Sequence, residues 1–316
     1  MLKGCLLLAF GFFGSSKVGP GVDKNRPEKK RFFLFFELYF RKFGQLIRAN
    51  LMFTLCLIPA LIVGLAGFLF LPRPINILGI TLGLALIGPP VCGMTYLLRQ
   101  MSLQRPVFVW HDFIDCMKKN FKQSLLFSIL DSVVITIIGA TIIFSLERFN
   151  DGAFQYVLFV LYIAVALIVL IMHYYIYPMM ITLALSISKL IKNALILTLA
   201  AIKTNLITTF WMLLLVIIPA ALLPIQLVAT FTITLVPLFY SSLIGFIILF
   251  NSFPHVKRLL VDPYYEAHPE ERKNNVFGDV YEEDEDEVIF TDLGTLEPKS
   301  TLAVKPNSGR GGKTIS

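Results

Sequence analysis

Asp131 is the residue of this sequence whose type and setting first suggest chemistry. It stands eight residues past Gln123 inside an apolar run, about 12 Å along a helix that rises about 1.5 Å per residue. A carboxylate at such a depth in a bilayer costs on the order of 2.5–3.5 kcal/mol, so it should face other helices or a wet cavity. Ser124, Ser128, Ser132, Thr136 and Gly139 continue the same face, where small side chains let a second helix approach closely. Two readings are open. Asp131, with Ser128 and Ser132 beside it, is a proton site, a cation site or a substrate contact; or it is a protonated or hydrogen-bonded packing residue.

His173-Tyr174-Tyr175-Ile176-Tyr177-Pro178 also admits two readings. The plain one is an aromatic belt at the membrane boundary, with His173 bonded to a neighbour. In the functional one, Pro178 unwinds its helix and turns carbonyls toward a ligand. Gly88-Pro89-Pro90 poses the same choice between a kink and exposed backbone. A third stretch, Trp110 to Ser124, reads WHDFIDCMKKNFKQS. Trp110, Phe113, Ile114, Met117 and Phe121 recur at helical spacing, opposite a face with His111, Asp112, Asp115, Lys118, Lys119 and Lys122. Such a helix lies flat at the headgroup level, so Trp110, Lys118, Lys119 and Lys122 are a candidate lipid or partner surface.

The groups that an enzyme needs are missing. No HExxH, GxSxG or Walker lysine pattern occurs, and no second carboxylate accompanies Asp131 within the apolar runs. His111, His173, His255 and His268 have no metal spacing, and Cys5, Cys56, Cys92 and Cys116 are scattered without a CxxC. No catalytic residue, metal, disulfide framework or cofactor is expected, and the chain reads as non-enzymatic.

The elements that must position these residues are membrane spans. The chain is 56% hydrophobic, with mean hydropathy +0.73, above the roughly 45–50% of soluble domains. Six apolar runs stand near the roughly 20 residues that cross a bilayer: Leu51–Leu71, Ile75–Leu98, Ser124–Leu146, Ala153–Ser186, Leu206–Pro224 and Leu227–Phe250. The expected fold is all-α and polytopic. Residues 1–31 form an N-terminal segment, 32–250 a six-span membrane domain, and 251–316 a charged tail that is largely disordered. Within the tail, Asp279 to Glu287 carries seven acids in nine residues, a docking site for a basic partner or a solvated run; it lacks an EF-hand's ligand spacing.

Charge sets the orientation. Ten Lys/Arg precede the first run, five lie between the second and third, three between the fourth and fifth, and eight follow the sixth. The other connections carry only Arg73 and Arg148. The positive-inside rule then places both termini in the cytoplasm. The net charge of +7 points to anionic lipid rather than nucleic acid, because the basic residues flank apolar spans. Met1–Ser16 imitates a signal peptide, but cleavage would export the basic segment from Lys17 to Arg48, so it reads as a greasy cytoplasmic or interfacial start. Phe32 to Asn50 reads as a second interfacial helix, with a phenylalanine-rich face and a stripe of Glu37, Arg41, Gln45 and Arg48.

An internal repeat fits the plan. Ile47-Arg48-Ala49-Asn50-Leu51, Met117-Lys118-Lys119-Asn120-Phe121 and Ile202-Lys203-Thr204-Asn205-Leu206 share the order apolar, basic, any, Asn, apolar. Each even span carries proline: Pro89-Pro90, Pro178, Pro237. The pattern suggests three parallel helical hairpins, each led by a cytoplasmic interfacial amphipathic helix. A plainer source is the general taste of inner-interface helix starts for Lys, Arg and Asn.

The segments GPGVDKN, RFFLFFELYFRKF, IGPPVCGMTYLLRQ, HDFIDCMKKNFKQS and KLIKNAL resemble the YesL-like family of bacterial integral membrane proteins, and DPYYEAHP and VIFTDLG resemble its long-tailed members. The resemblance covers most of Gly19 to Phe250. It implies a plasma-membrane protein of five or six passes, encoded beside carbohydrate-uptake systems of the binding-protein-dependent ABC type. It carries over no catalytic residue. The first functional expectation is therefore an accessory or assembly factor that contacts the permease or ATPase subunits of such a transporter. The second is a secondary transporter or channel for a small solute using Asp131 in the third span, resting also on the prolines of the even spans and the repeat.

Overall fold

Long runs of Leu, Ile, Val and Phe leave a chain one stable arrangement in hydrocarbon, a helix that bonds its own N–H and C=O groups. The computed structural model describes residues 30–72, 75–183, 185–224, 226, 230 and 236–269, and among these there is no strand. Expectations about Met1–Ser16, the loop up to residue 29, Pro237's side chain and the tail beyond residue 269 lie outside the described residues. Six helices are long and apolar enough to cross a membrane: Phe43–Phe70, Asn76–Ser102, Phe121–Glu147, Ala153–Thr182, Ile202–Leu222 and Leu238–Ala267. The protein is a multi-pass membrane protein, and these are spans one to six. Leu55, Leu61, Leu65, Phe154 and Ile207 stay exposed on their outer faces, as lipid contact requires.

Each odd span is led by a short helix: α1 (Arg31–Arg41), α2 (Val109–Lys119) and α3 (Ile187–Ala200). A single residue joins helix to span in each case, with almost the same backbone: Lys42 at φ −99°, ψ 9°, Asn120 at −100°, 8°, and Ala201 at −108°, 30°. Hydrogen bonds repeat too. The bend N–H donates four residues back, to Leu38, Cys116 and Leu197, and the bend C=O accepts four residues on, from Leu46, Ser124 and Asn205. Three hairpins led by short helices are therefore present, but the Asn positions do not mark their register. Asn120 is itself a bend, Asn205 lies four residues after Ala201, and Asn50 eight after Lys42. Steps of four keep the asparagines on one helix face but at different heights, so each finds a different partner.

The structure corrects several expected boundaries. The interfacial helix expected over Phe32 to Asn50 is two pieces, because α1 stops at Arg41 and Gln45, Leu46 and Arg48 open span one. α2 packs on protein along one face. It buries Phe113 and Cys116 against the second half of span two, where a Cβ on Gly93 would meet Phe113 O at 2.9 Å. The third span starts at Phe121, before Ser124. Span four ends at Thr182 rather than Ser186. Span six does not stop at Phe250. Helix runs on through Pro254 to Ala267, because Phe253, Val256, Val261 and Tyr265 have core to bury. The charged tail thus begins later than residue 251.

Span two breaks in the middle. Its halves are Asn76–Ala85 and Gly88–Ser102, joined by tight bonds from Leu86 N to Gly83 O (3.2 Å) and Ile87 N to Leu84 O (3.1 Å). Pro89 and Pro90 have no N–H to give to the carbonyls of Ala85 and Leu86, so the regular ladder fails just there. The first half packs on span one through glycines. A Cβ on Gly79 would overlap the Gly67 Cα, and one on Gly83 would lie 2.8 Å from both Ala60 O and Gly64 Cα. The buried core lies toward the end of the bundle that carries the three bends, around Leu97, Met101, Phe113, Tyr175, Met179 and Phe246.

Candidate functional site

Asp131 lies ten residues after the start of span three, and His173 nine residues before the end of span four. At about 1.5 Å per residue both stand roughly 14–15 Å from the bend-bearing end. Antiparallel neighbours bring equal depths together, and Nε2 of His173 lies 2.9 Å from Oδ2 of Asp131. The other ring nitrogen, Nδ1, is 2.7 Å from Val169 O. A backbone carbonyl only accepts, so Nδ1 carries a hydrogen and donates it. Nε2 then either accepts from a protonated Asp131 or, in an imidazolium, donates to a carboxylate. Both forms contain one proton between the two side chains and have zero net charge. Phe127 holds the ring in place, edge-on at 6.2 Å, and packs at 5.8 Å on Tyr177.

The pair faces a cavity of about 450 Å³ to which every span contributes, with Phe53, Val91, Asp131, His173, Met212 and Ile244 one from each. Side-chain exposures of 14% for Asp131 and 24% for His173 keep both reachable from it. Ser128, Ser132 and Pro178 also line it, so the five residues expected to carry an intramembrane site are brought together. Among the described residues of the lining, Asp131 and His173 are the only acidic or basic groups, and Tyr174, Tyr177 and Tyr240 are the other titratable side chains.

The serines have structural work as well. Ser128 Oγ donates to Ala85 O at 2.5 Å, the carbonyl that Pro89 leaves without a partner. Ser132 Oγ donates to Ile129 O at 2.8 Å, and the stripe ends in a Thr136 to Thr81 hydroxyl contact of 3.0 Å. Pro178 does not unwind span four, which stays helical to Thr182, and Thr182 Oγ1 donates to Pro178 O at 2.7 Å. Nor do the aromatics beside it form a boundary belt. Tyr174, Tyr175 and Tyr177 are buried, and Tyr175 donates to Asn205 Oδ1 at 2.5 Å while Tyr174 meets Thr209 at 3.0 Å. They are packing groups because α3, span five and span six cover them.

Trp110, Lys118, Lys119 and Lys122 are all exposed on α2 and the start of span three, away from the cavity. Sequence reasoning missed Asn50, fully buried, whose Oδ1 accepts from Ser242 N at 2.8 Å. That N–H follows a wide helical turn, Val236–Tyr240, that leads into span six. It also missed Arg99, which is 2% exposed and donates from Nη1 to Thr182 Oγ1 at 2.7 Å. Its place beside the basic loop between spans two and three gave no sign of burial. Among the described residues no three His, Cys, Asp or Glu side chains gather as metal ligands. No protein-family model, curated protein or solved structure matches the chain, so these comparisons identify no family, the YesL-like family included.

Proposed function

We propose that the protein is a carrier for a small, largely apolar solute, with the central cavity as its binding site and Asp131 as its essential side chain. The supporting observation is the Asp131–His173 pair at mid-depth, opening on a cavity that all six spans line. A packing role alone would not need an ionisable pair beside open space, since well-packed apolar side chains are cheaper to bury. The charge asymmetry supports both termini on the cytoplasmic side, and the resemblance supports a bacterial plasma-membrane setting. Purified protein in proteoliposomes, offered a panel of neutral, cationic and anionic solutes, should give saturable uptake that Asp131→Asn abolishes. Flux of every solute at the level of protein-free vesicles would refute the carrier, and unchanged flux in the variant would refute the role of Asp131. The resemblance supports the other reading, a non-enzymatic accessory of carbohydrate uptake. Co-purification of permease or ATPase subunits, with no flux, would favour it.

A further inference from the structure

The Asp131–His173 pair has one proton to lose. With Nδ1–H committed to Val169 O, the 2.9 Å approach of Nε2 to Oδ2 needs a hydrogen between them. Removing it leaves a carboxylate facing a neutral ring, a site of net charge −1 in apolar surroundings. Among the described residues no lysine or arginine lines the cavity to balance that charge. Adding a proton instead would give net charge +1, which only an anion could balance.

The lining decides between these two. An anion needs N–H or O–H donors, and four of the seven hydroxyls in the described lining already spend their hydrogen on a backbone carbonyl. Thr95 Oγ1 donates to Val91 O at 2.7 Å, Ser132 Oγ to Ile129 O at 2.8 Å, Ser128 Oγ to Ala85 O at 2.5 Å, and Tyr240 to Leu215 O. What these groups turn to the cavity is lone pairs. Phe53, Tyr174 and Tyr177 add aromatic rings and Met94 and Met212 thioethers, surfaces that suit the body of an organic cation. A bare metal cation would need about six oxygen ligands, and such a cage is not present among these side chains.

We propose that the pair exchanges its one proton for a monovalent organic cation, which makes the protein a proton–cation antiporter. The inference rests on the carrier reading and names its substrate class. The step balances: the protonated, neutral pair and a cation give the carboxylate–cation complex and one proton, released to water on the side to which the cavity opens. Neither form is left as a bare buried charge, so proton and cation compete for one site. The titratable groups that share the cavity with the pair are Tyr174 and Tyr177 on the span of His173 and Tyr240 near the start of span six.

The test uses full-length protein in detergent and two ions of matched shape and opposite charge, tetraphenylphosphonium and tetraphenylborate. Calorimetry in buffers of different ionisation enthalpy counts the protons exchanged. The phosphonium should bind with release of one proton, and its apparent affinity should fall about tenfold per pH unit once the pair is protonated. Tetraphenylborate should exchange none. Asp131→Asn should end the proton release. His173→Gln, which keeps the carboxylate, should still bind the cation with a displaced pH midpoint. Phosphonium binding without proton release, no phosphonium binding across pH 5–9, or borate binding with proton uptake would each overturn the exchange. Protein-dependent flux of neutral solutes alone would then leave the carrier standing without the antiport. Proton exchange on binding without flux of any solute would refute the carrier.

Discussion

Replacing Asp131 with asparagine tests the single-proton description through stability alone. If Nδ1 of His173 is pinned to Val169 O, the free lone pair of a neutral ring sits at Nε2. An amide N–H at position 131 can donate to that lone pair much as a protonated carboxyl does, so the hydrogen bond survives. Interhelical hydrogen bonds in membranes average about 0.6 kcal/mol and reach about 1.7, so Asp131→Asn should stay within about 1 kcal/mol of the parent. His173→Leu is different. It leaves a part-buried carboxyl group with no partner, a cost of about 1–3 kcal/mol. At roughly 2–4 °C per kcal/mol for a domain of about 150–250 residues, Asp131→Asn should shift the midpoint by at most about 4 °C, and His173→Leu should lower it by roughly 2–12 °C. The melt can be followed with a thiol-reactive fluorophore, because Cys92 and Cys116 are buried until the bundle opens. The double variant should lose little more than His173→Leu, since only the histidine change breaks the contact. If Asp131→Asn costs as much as His173→Leu, the one-proton hydrogen bond is wrong.

Two further predictions concern the scaffold. Gly79→Ala should destabilise by about 1–3 kcal/mol, because the new methyl overlaps the Gly67 backbone, whereas Gly139→Ala, with nothing within 4 Å, should be neutral or stabilise by up to about 1 kcal/mol; the same melt compares them, and equal effects would refute the close glycine contact. Cys116 lies on α2 outside the spans, and burial pushes its thiol up to about 11. Since the thiolate is the reactive form, maleimide at pH 7.5 should leave it unmodified in native membranes and label it after denaturation, and labelling at the denatured rate would show α2 undocked.

Much of the architecture follows from local rules. Hydrocarbon forbids unpaired backbone, so apolar runs of the right length had to be helices, and the six spans are legible one by one. The kink before Gly88-Pro89-Pro90 is equally local, because two missing N–H groups free two carbonyls wherever that tripeptide sits in a helix. The interior setting of Asp131 follows from the cost of its charge. The boundaries were harder. The end of span six depends on whether Phe253 and Val256 find a core, which the polar residues around them hide.

What the sequence by itself determined is therefore the number of spans, the side on which positive charge collects, and the need of Asp131 for shelter. What only the tertiary structure decided is what shelters it. His173 is 42 residues away, and nothing local ties the two. Their meeting depends on equal depth in antiparallel spans and on the face each helix turns inward. The same holds for Pro178, which looks locally like a break yet stays helical, and for the three asparagines, whose shared motif concealed a one-turn stagger between the bends. Local energetics fix which groups must be satisfied. Packing across distant helices fixes the partner, and at Asp131 that partner turned a lone buried acid into a pair that shares one proton.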